Sequence, residues 1–143
     1  MTLYLKVEDL KSPLTMYPGI RNEIEFRNWY YALPVGETKV GRFVHSDLKY
    51  LPGGIPLHPE PVEIREGWIK LSDPYVSGDH GTFTYDGTSV RYEDHSRNGT
   101  ALNYEEIKNK EAPLFLGDVL GFGRAATGFD YGYRITLCET SGK

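Results

Sequence analysis

From Asp73 to Asn103 the chain reads DPYVSGDHGTFTYDGTSVRYEDHSRNGTALN, and this stretch admits few folds. Two β-like runs, His80 to Tyr85 and Ser89 to Glu93, are joined by Asp86-Gly87-Thr88. Asp-Gly supplies the positive φ angles of a tight turn, so the runs predict a β-hairpin. A polar turn holding Ser77, Asp79 and His80 precedes the hairpin, and a second, Asp94 to Thr100, follows it. Turns that flank one hairpin open on the same end of a sheet. Together they bring a serine, an arginine, an asparagine and histidines, small hydrogen-bonding groups suited to an anion and a peptide backbone.

The remaining runs are of the same short kind. Thr2 to Val7, Asn22 to Phe26, Thr38 to Arg42 and Ile69 to Leu71 alternate apolar and polar residues, and Trp29-Tyr30-Tyr31 forms an aromatic cluster. Leu114 to Gly123 gives two strands around a Gly-Asp turn, Tyr104 to Lys110 a helical turn or a hairpin extension, and Tyr131 to Cys138 a closing strand. Strands punctuated by turn signals every ten residues or so, with no amphipathic helix, predict an all-β sandwich of two mainly antiparallel sheets. The exception is Phe43 to Trp68. Pro52, Pro56, Pro59, Pro61 and Gly53-Gly54 exclude a helix or a central strand over most of it, so a long irregular insertion is expected at about residues 43–68.

Length and charge narrow the classes of function. The 143 residues suit one domain spanning 1–143. A net charge of −4 argues against a nucleic-acid partner, and no apolar run approaches the ~18 residues of a membrane span. Cys138 is the single cysteine, which fits a buried thiol in a reducing, cytoplasmic compartment. His45, His58 and His95 have no zinc-site spacing, so neither a metal nor another cofactor is expected. Ser77, Asp79 and His80 invite a hydrolase reading, but residues three apart in one turn do not reach a catalytic triad geometry and no nucleophile elbow is present. The expectation is a binding protein, not an enzyme.

Several motifs fall in one order along the chain: Gly41-Arg42 at a strand end, Ser77 with His80 three residues on, Ser96-Arg97-Asn98-Gly99-Thr100, Leu102-Asn103, Leu116 to Leu120, and Phe122-Gly123. Singly each has a bland reading as a solvated arginine, a turn cap or a turn dipeptide. In this order, from about Val35 to Cys138, the chain resembles a forkhead-associated (FHA) domain, a phosphothreonine-peptide-binding β-sandwich. The resemblance implies that Arg42 and Ser77 bind phosphate and that Asn98 holds the peptide main chain, with Arg97 lining the site. Gly41, His80 and Gly99 would support it. It also implies, as partner, a phosphothreonine-containing protein that is the target of a Ser/Thr kinase, in signalling or assembly. Two departures matter. Gly78 stands where the family often has a phosphate-holding side chain, and the segment after Arg42 is longer than usual. They keep open a second expectation, a degenerate FHA-like sandwich that serves as a phospho-independent interaction scaffold.

The chemistry asked of such a site is modest. A phosphothreonine carries about −1.5 to −2 charges and three acceptor oxygens. An arginine fork that stays charged, a serine hydroxyl and main-chain amides suffice to hold it reversibly. An asparagine, both donor and acceptor, pairs with a peptide bond in both directions.

Overall fold

The computed structural model describes residues 2–9, 28–42, 50–51, 55–56, 62–65, 67–71, 76–123 and 132–139. The expected strand at Asn22 to Phe26 lies outside them. Described residues contain fourteen strands and no α-helix.

One sheet of six strands runs in the order β11 (Glu105–Glu106), β10 (Ala101–Leu102), β13 (Val119–Phe122), β14 (Tyr133–Cys138), β1 (Tyr4–Asp9), β2 (Asn28–Ala32). The other runs β12 (Glu111–Leu114), β9 (Val90–Asp94), β8 (Gly81–Tyr85), β3 (Gly36–Arg42), β7 (Trp68–Leu71), β6 (Val62–Arg65). The sequence alternation sets which side chains go inward. In β14, Tyr133, Ile135 and Leu137 are buried while the residues between them are half-buried. Leu5 and Val7 of β1 do the same, against Val40, Ile69, Leu71, Phe83 and Tyr92 of the other sheet. Each such aliphatic or aromatic side chain contributes about 1.5–3 kcal/mol on burial, which fixes register, since a one-residue slip would turn a whole row outward.

The hairpin read at Asp86-Gly87 is present. Gly87 has φ of 93°, and the Asp86 carboxylate caps the turn by accepting the N–H of Thr88 at 2.8 Å and of Ser89 at 2.7 Å. Tyr104 to Lys110 continues a hairpin rather than a helical turn. Asn103 and Tyr104, at φ of 48° and 73°, form the two-residue loop between β10 and β11.

The long proline-rich segment has a topological cause. β3 and β7 are neighbours and parallel, Lys39 beside Trp68 and Arg42 beside Leu71. Parallel neighbours need a crossover of a dozen residues or more, and the chain between Arg42 and Trp68 supplies it. The expected irregularity does not extend over 62–65. Val62–Arg65 is a strand, antiparallel to β7 at the sheet edge, because four alternating residues free of proline follow there. β4 (Tyr50–Leu51) pairs with β5 (Ile55–Pro56) as a separate two-stranded ribbon.

Candidate functional site

Three segments meet at the end of the second sheet where β3 stops, β8 starts and β9 ends. The N–H of Arg42 donates to the Ser77 carbonyl at 3.0 Å, which ties the serine loop to the end of β3. The N–H of Arg97 donates to Ser77 Oγ at 3.0 Å, which ties the loop after β9 to the same serine. Arg42, Ser77 and Arg97 are thereby neighbours. Arg42, Arg97 and Asn98 are exposed and Ser77 is half-buried. A serine hydroxyl has two acceptor sites and one proton. With Arg97 using an acceptor site, the Ser77 proton stays available to a ligand at this rim.

Gly41 is what lets the loop lie so close. A Cβ there would sit 2.0 Å from the Gly78 carbonyl oxygen, so only glycine leaves the serine loop on β3. Gly78 itself is under no such constraint. Its φ is not in the left-handed region, and a Cβ would meet nothing within 4 Å. Neither backbone nor space requires glycine at 78.

Beneath the rim lies a buried polar chain whose directions can be worked out. His80 is fully buried. Its Nδ1 faces the N–H of Ser77 at 3.0 Å, and an amide N–H can only donate, so Nδ1 is the unprotonated acceptor. The ring proton is therefore on Nε2, which faces the Gly99 carbonyl at 3.1 Å and Thr100 Oγ1 at 3.0 Å. Thr100 passes its own proton to Asp94 Oδ1 at 2.7 Å, and so accepts from His80 and from the Tyr92 hydroxyl at 3.1 Å. Burial, first, raises the Tyr92 phenol far above its ordinary range, which keeps that donor protonated. The chain ends on the Asp94 carboxylate, only 2% exposed, which also accepts the Ser96 hydroxyl at 2.8 Å and the Asn109 N–H at 2.8 Å. Ser96 Oγ in turn accepts the Gly99 N–H at 2.8 Å, and Gly99 holds φ of 89°. Every step points the same way, from the serine loop down to Asp94.

Asp94, Tyr92 and Asn109 were given no role in the sequence, and Thr100 stood there only as the last residue of the Ser96-to-Thr100 motif. Asp94-His95-Ser96 carries a signal that could have marked them, since an aspartate two residues before a serine readily caps a turn. Its burial follows from strand parity, because Asp94 continues the inward row of Val90 and Tyr92. His80 also packs against Phe122, ring centroids 5.2 Å apart, so the polar chain rests on the apolar core.

Among the described residues no cluster of histidine, cysteine, aspartate and glutamate could hold a metal. No helix among them is long and apolar enough to cross a membrane.

Two mainly antiparallel sheets, with the serine loop and the loop after β9 at one end, make a β-sandwich of the FHA type. Residues 56–123 match the FHA domain family model, and that span contains Ser77, His80, Arg97, Asn98 and Gly99, while Gly41 and Arg42 precede it. The resemblance read from the sequence holds. Among solved structures, the chain is similar to the FHA domain of the CT664 protein from Chlamydia trachomatis, with 19% identity, 98% of this chain and 99% of that one covered, and a TM-score of 0.56. It is similar to the yeast Pml1 splicing factor at 19% identity, 97% and 80% coverage, and a TM-score of 0.60. EmbR of Mycobacterium tuberculosis, solved in complex with a low-affinity phosphopeptide, matches at 20% identity, 99% and 25% coverage, and a TM-score of 0.54. At these identities the likeness is one of fold. No curated protein sequence matches the chain at a significant level.

Proposed function

We propose that this chain is a phosphothreonine-dependent peptide-binding module. Arg42 and Ser77 take the phosphate, Asn98 takes the main chain of the peptide beyond it, and Arg97 lines the same edge. The observation that carries this reading is the double tie on Ser77. Its carbonyl is bonded to the N–H of Arg42 and its hydroxyl oxygen to the N–H of Arg97, so two arginines and one hydroxyl share one rim. EmbR, with its bound phosphopeptide, lends the reading a precedent on the same fold.

Binding needs little more than this set. Charge-assisted hydrogen bonds contribute roughly 1.5–3 kcal/mol each. Two or three of them total about 3–9 kcal/mol before the ordering of a peptide is subtracted, so with the remaining peptide contacts an affinity no tighter than micromolar, about −8 kcal/mol, is expected. The ligand in a cell would be a protein that a Ser/Thr kinase has phosphorylated on threonine.

The test is calorimetric titration with matched phosphorylated and unphosphorylated threonine peptides. Arg42→Ala should weaken phosphopeptide binding by about 2–4 kcal/mol, roughly thirty- to a thousand-fold, with an unchanged unfolding midpoint. Parental affinity in Arg42→Ala would move the phosphate site elsewhere. Equal affinity for the two parent peptides would leave a phospho-independent scaffold.

A further inference from the structure

The opposite end of the sandwich, where β8 turns into β9, is open and apolar. Val35 (70% exposed), Phe115 (66%) and Leu116 (51%) stand at it, with the Val35 side chain reaching the turn at Gly87. These are three of the four large exposed apolar residues among those described, so the exposure is concentrated rather than scattered. A groove of about 730 Å³ opens here, with Leu3, Tyr85, Val90, Leu114, Phe115 and Leu137 in its walls. Ligand clefts commonly occupy about 300–1,000 Å³.

Among the described residues no lysine or arginine lines the groove, and two carboxylates stand beside it. Asp86 accepts the N–H groups of Thr88 and Ser89, both lining residues, and Asp118 accepts the N–H of Phe115 at 2.9 Å. The bonds from Ser89 and then Thr88 hold the Asp86 carboxyl below its ordinary range, so it stays ionised. An apolar floor thus sits between two fixed carboxylates.

We propose that this groove is a second docking site, taking a short unphosphorylated peptide segment whose leucine or phenylalanine side chains fill the floor and whose flanking lysines or arginines meet Asp86 and Asp118. A second copy of the chain fits less well, because two-fold packing would set the acidic rim against itself. An anionic lipid surface meets the same repulsion. The groove is separated from the serine loop by the length of the hairpin, roughly 17 Å for five residues per strand. Occupation of one end leaves the other open.

The experiment follows amide resonances of the whole chain by NMR while two octapeptides are titrated in, Leu-Phe-Leu-Leu flanked on each side by two lysines or by two glutamates. The lysine-flanked peptide should shift Tyr85 to Val90 and Phe115-Leu116 and leave Arg97 to Thr100 in place. The glutamate-flanked one should bind at least five-fold more weakly. The double variant Phe115→Ser, Leu116→Ser should lose the shifts while keeping the parental spectrum elsewhere, since both side chains are exposed. Three results overturn the proposal: no shifts at the groove with either peptide, equal affinity for both flanks, or a concentration-dependent dimer that the double variant abolishes. All three are independent of whether a phosphothreonine peptide binds at the other end.

Discussion

The β8–β9 hairpin has two ends built on opposite plans. At the loop end, His80, Thr100, Tyr92 and Asp94 are buried, and one directed chain of hydrogen bonds joins them to the serine loop. At the turn end, Asp86 lies at the surface and the neighbouring apolar side chains Val35, Phe115 and Leu116 are exposed. A polar ligand demands donors held in place before it arrives, and a buried network fixes them because any change of rotamer strands a polar group. An apolar ligand demands only an uncovered surface of the right shape. The contrast teaches where substitutions should hurt: the loop end through lost hydrogen bonds in the core, the turn end only through lost binding.

Asp94→Ala puts that contrast under the greatest strain. It leaves the Ser96 and Thr100 hydroxyls and the Asn109 N–H without their acceptor in the interior. At about 1–3 kcal/mol for an unsatisfied buried group, partly relieved by relaxation, the domain should lose about 3–4 kcal/mol. Urea unfolding measures it. Phe115→Ser should stay within about 0.5 kcal/mol of the parent, as exposed substitutions do. Similar losses for the two variants would mean that the ends are not built differently.

Gly41→Ala comes next and separates support of the site from contact with the ligand. The added methyl would fall 2.0 Å from the Gly78 carbonyl, so the serine loop has to move. Overpacking of this kind costs about 1–3 kcal/mol. Phosphopeptide affinity should drop alongside stability, although residue 41 offers no group to a phosphate. Unchanged affinity in a destabilised Gly41→Ala would show that loop position does not govern binding.

The third effect is smaller and concerns the ligand. In the proposed site phosphothreonine and phosphoserine would offer the same phosphate to Arg42 and Ser77, and only the γ-methyl distinguishes them. Burying one methyl is worth about 0.8 kcal/mol, close to four-fold in affinity. A preformed pocket raises the preference, because phosphoserine then forfeits dispersion contacts in the void it leaves. Matched peptides should differ at least several-fold, with phosphoserine binding still detectable. Equal affinities would mean that the rim reads phosphate alone.

The strands and the rim were legible because their signals are local. Alternation in YRITLC marks a buried row, Asp86-Gly87 marks its turn, and the order Gly41-Arg42, Ser77, His80, Asn98-Gly99 marks the loops. What escaped was non-local. Nothing in Val62-Glu63-Ile64-Arg65 says that β7 is its partner or that β7 runs parallel to β3; that pairing depends on how the crossover closes. Asp94 reads as one more polar turn residue until the inward row of β9 is known. Its burial is a consequence of strand parity meeting the end of the sheet. The residues proposed to touch the ligand lie in recognisable short motifs, while several that hold those motifs, Tyr92, Asp94 and Asn109, lie outside them.

The smallest expected effect tests the turn end by pH. The Asp86 carboxyl is held below its ordinary value of 3.8, chiefly by the N–H of Ser89 and then that of Thr88. A carboxyl whose folded pKa is depressed binds protons more readily in the unfolded chain, so stability rises with pH across that interval. The contribution is therefore complete above 3.8 and disappears as pH falls through the lower folded value. Asp86→Asn keeps an acceptor oxygen for the turn but has nothing to titrate. Parent and variant should differ by a constant small margin near neutrality, and the margin should close only below pH 3.8. Thermal unfolding midpoints taken at intervals down to strong acid measure it. A margin that closes well above that pH would assign the acid sensitivity to another carboxylate and leave the Asp86 turn without an electrostatic part in holding the hairpin.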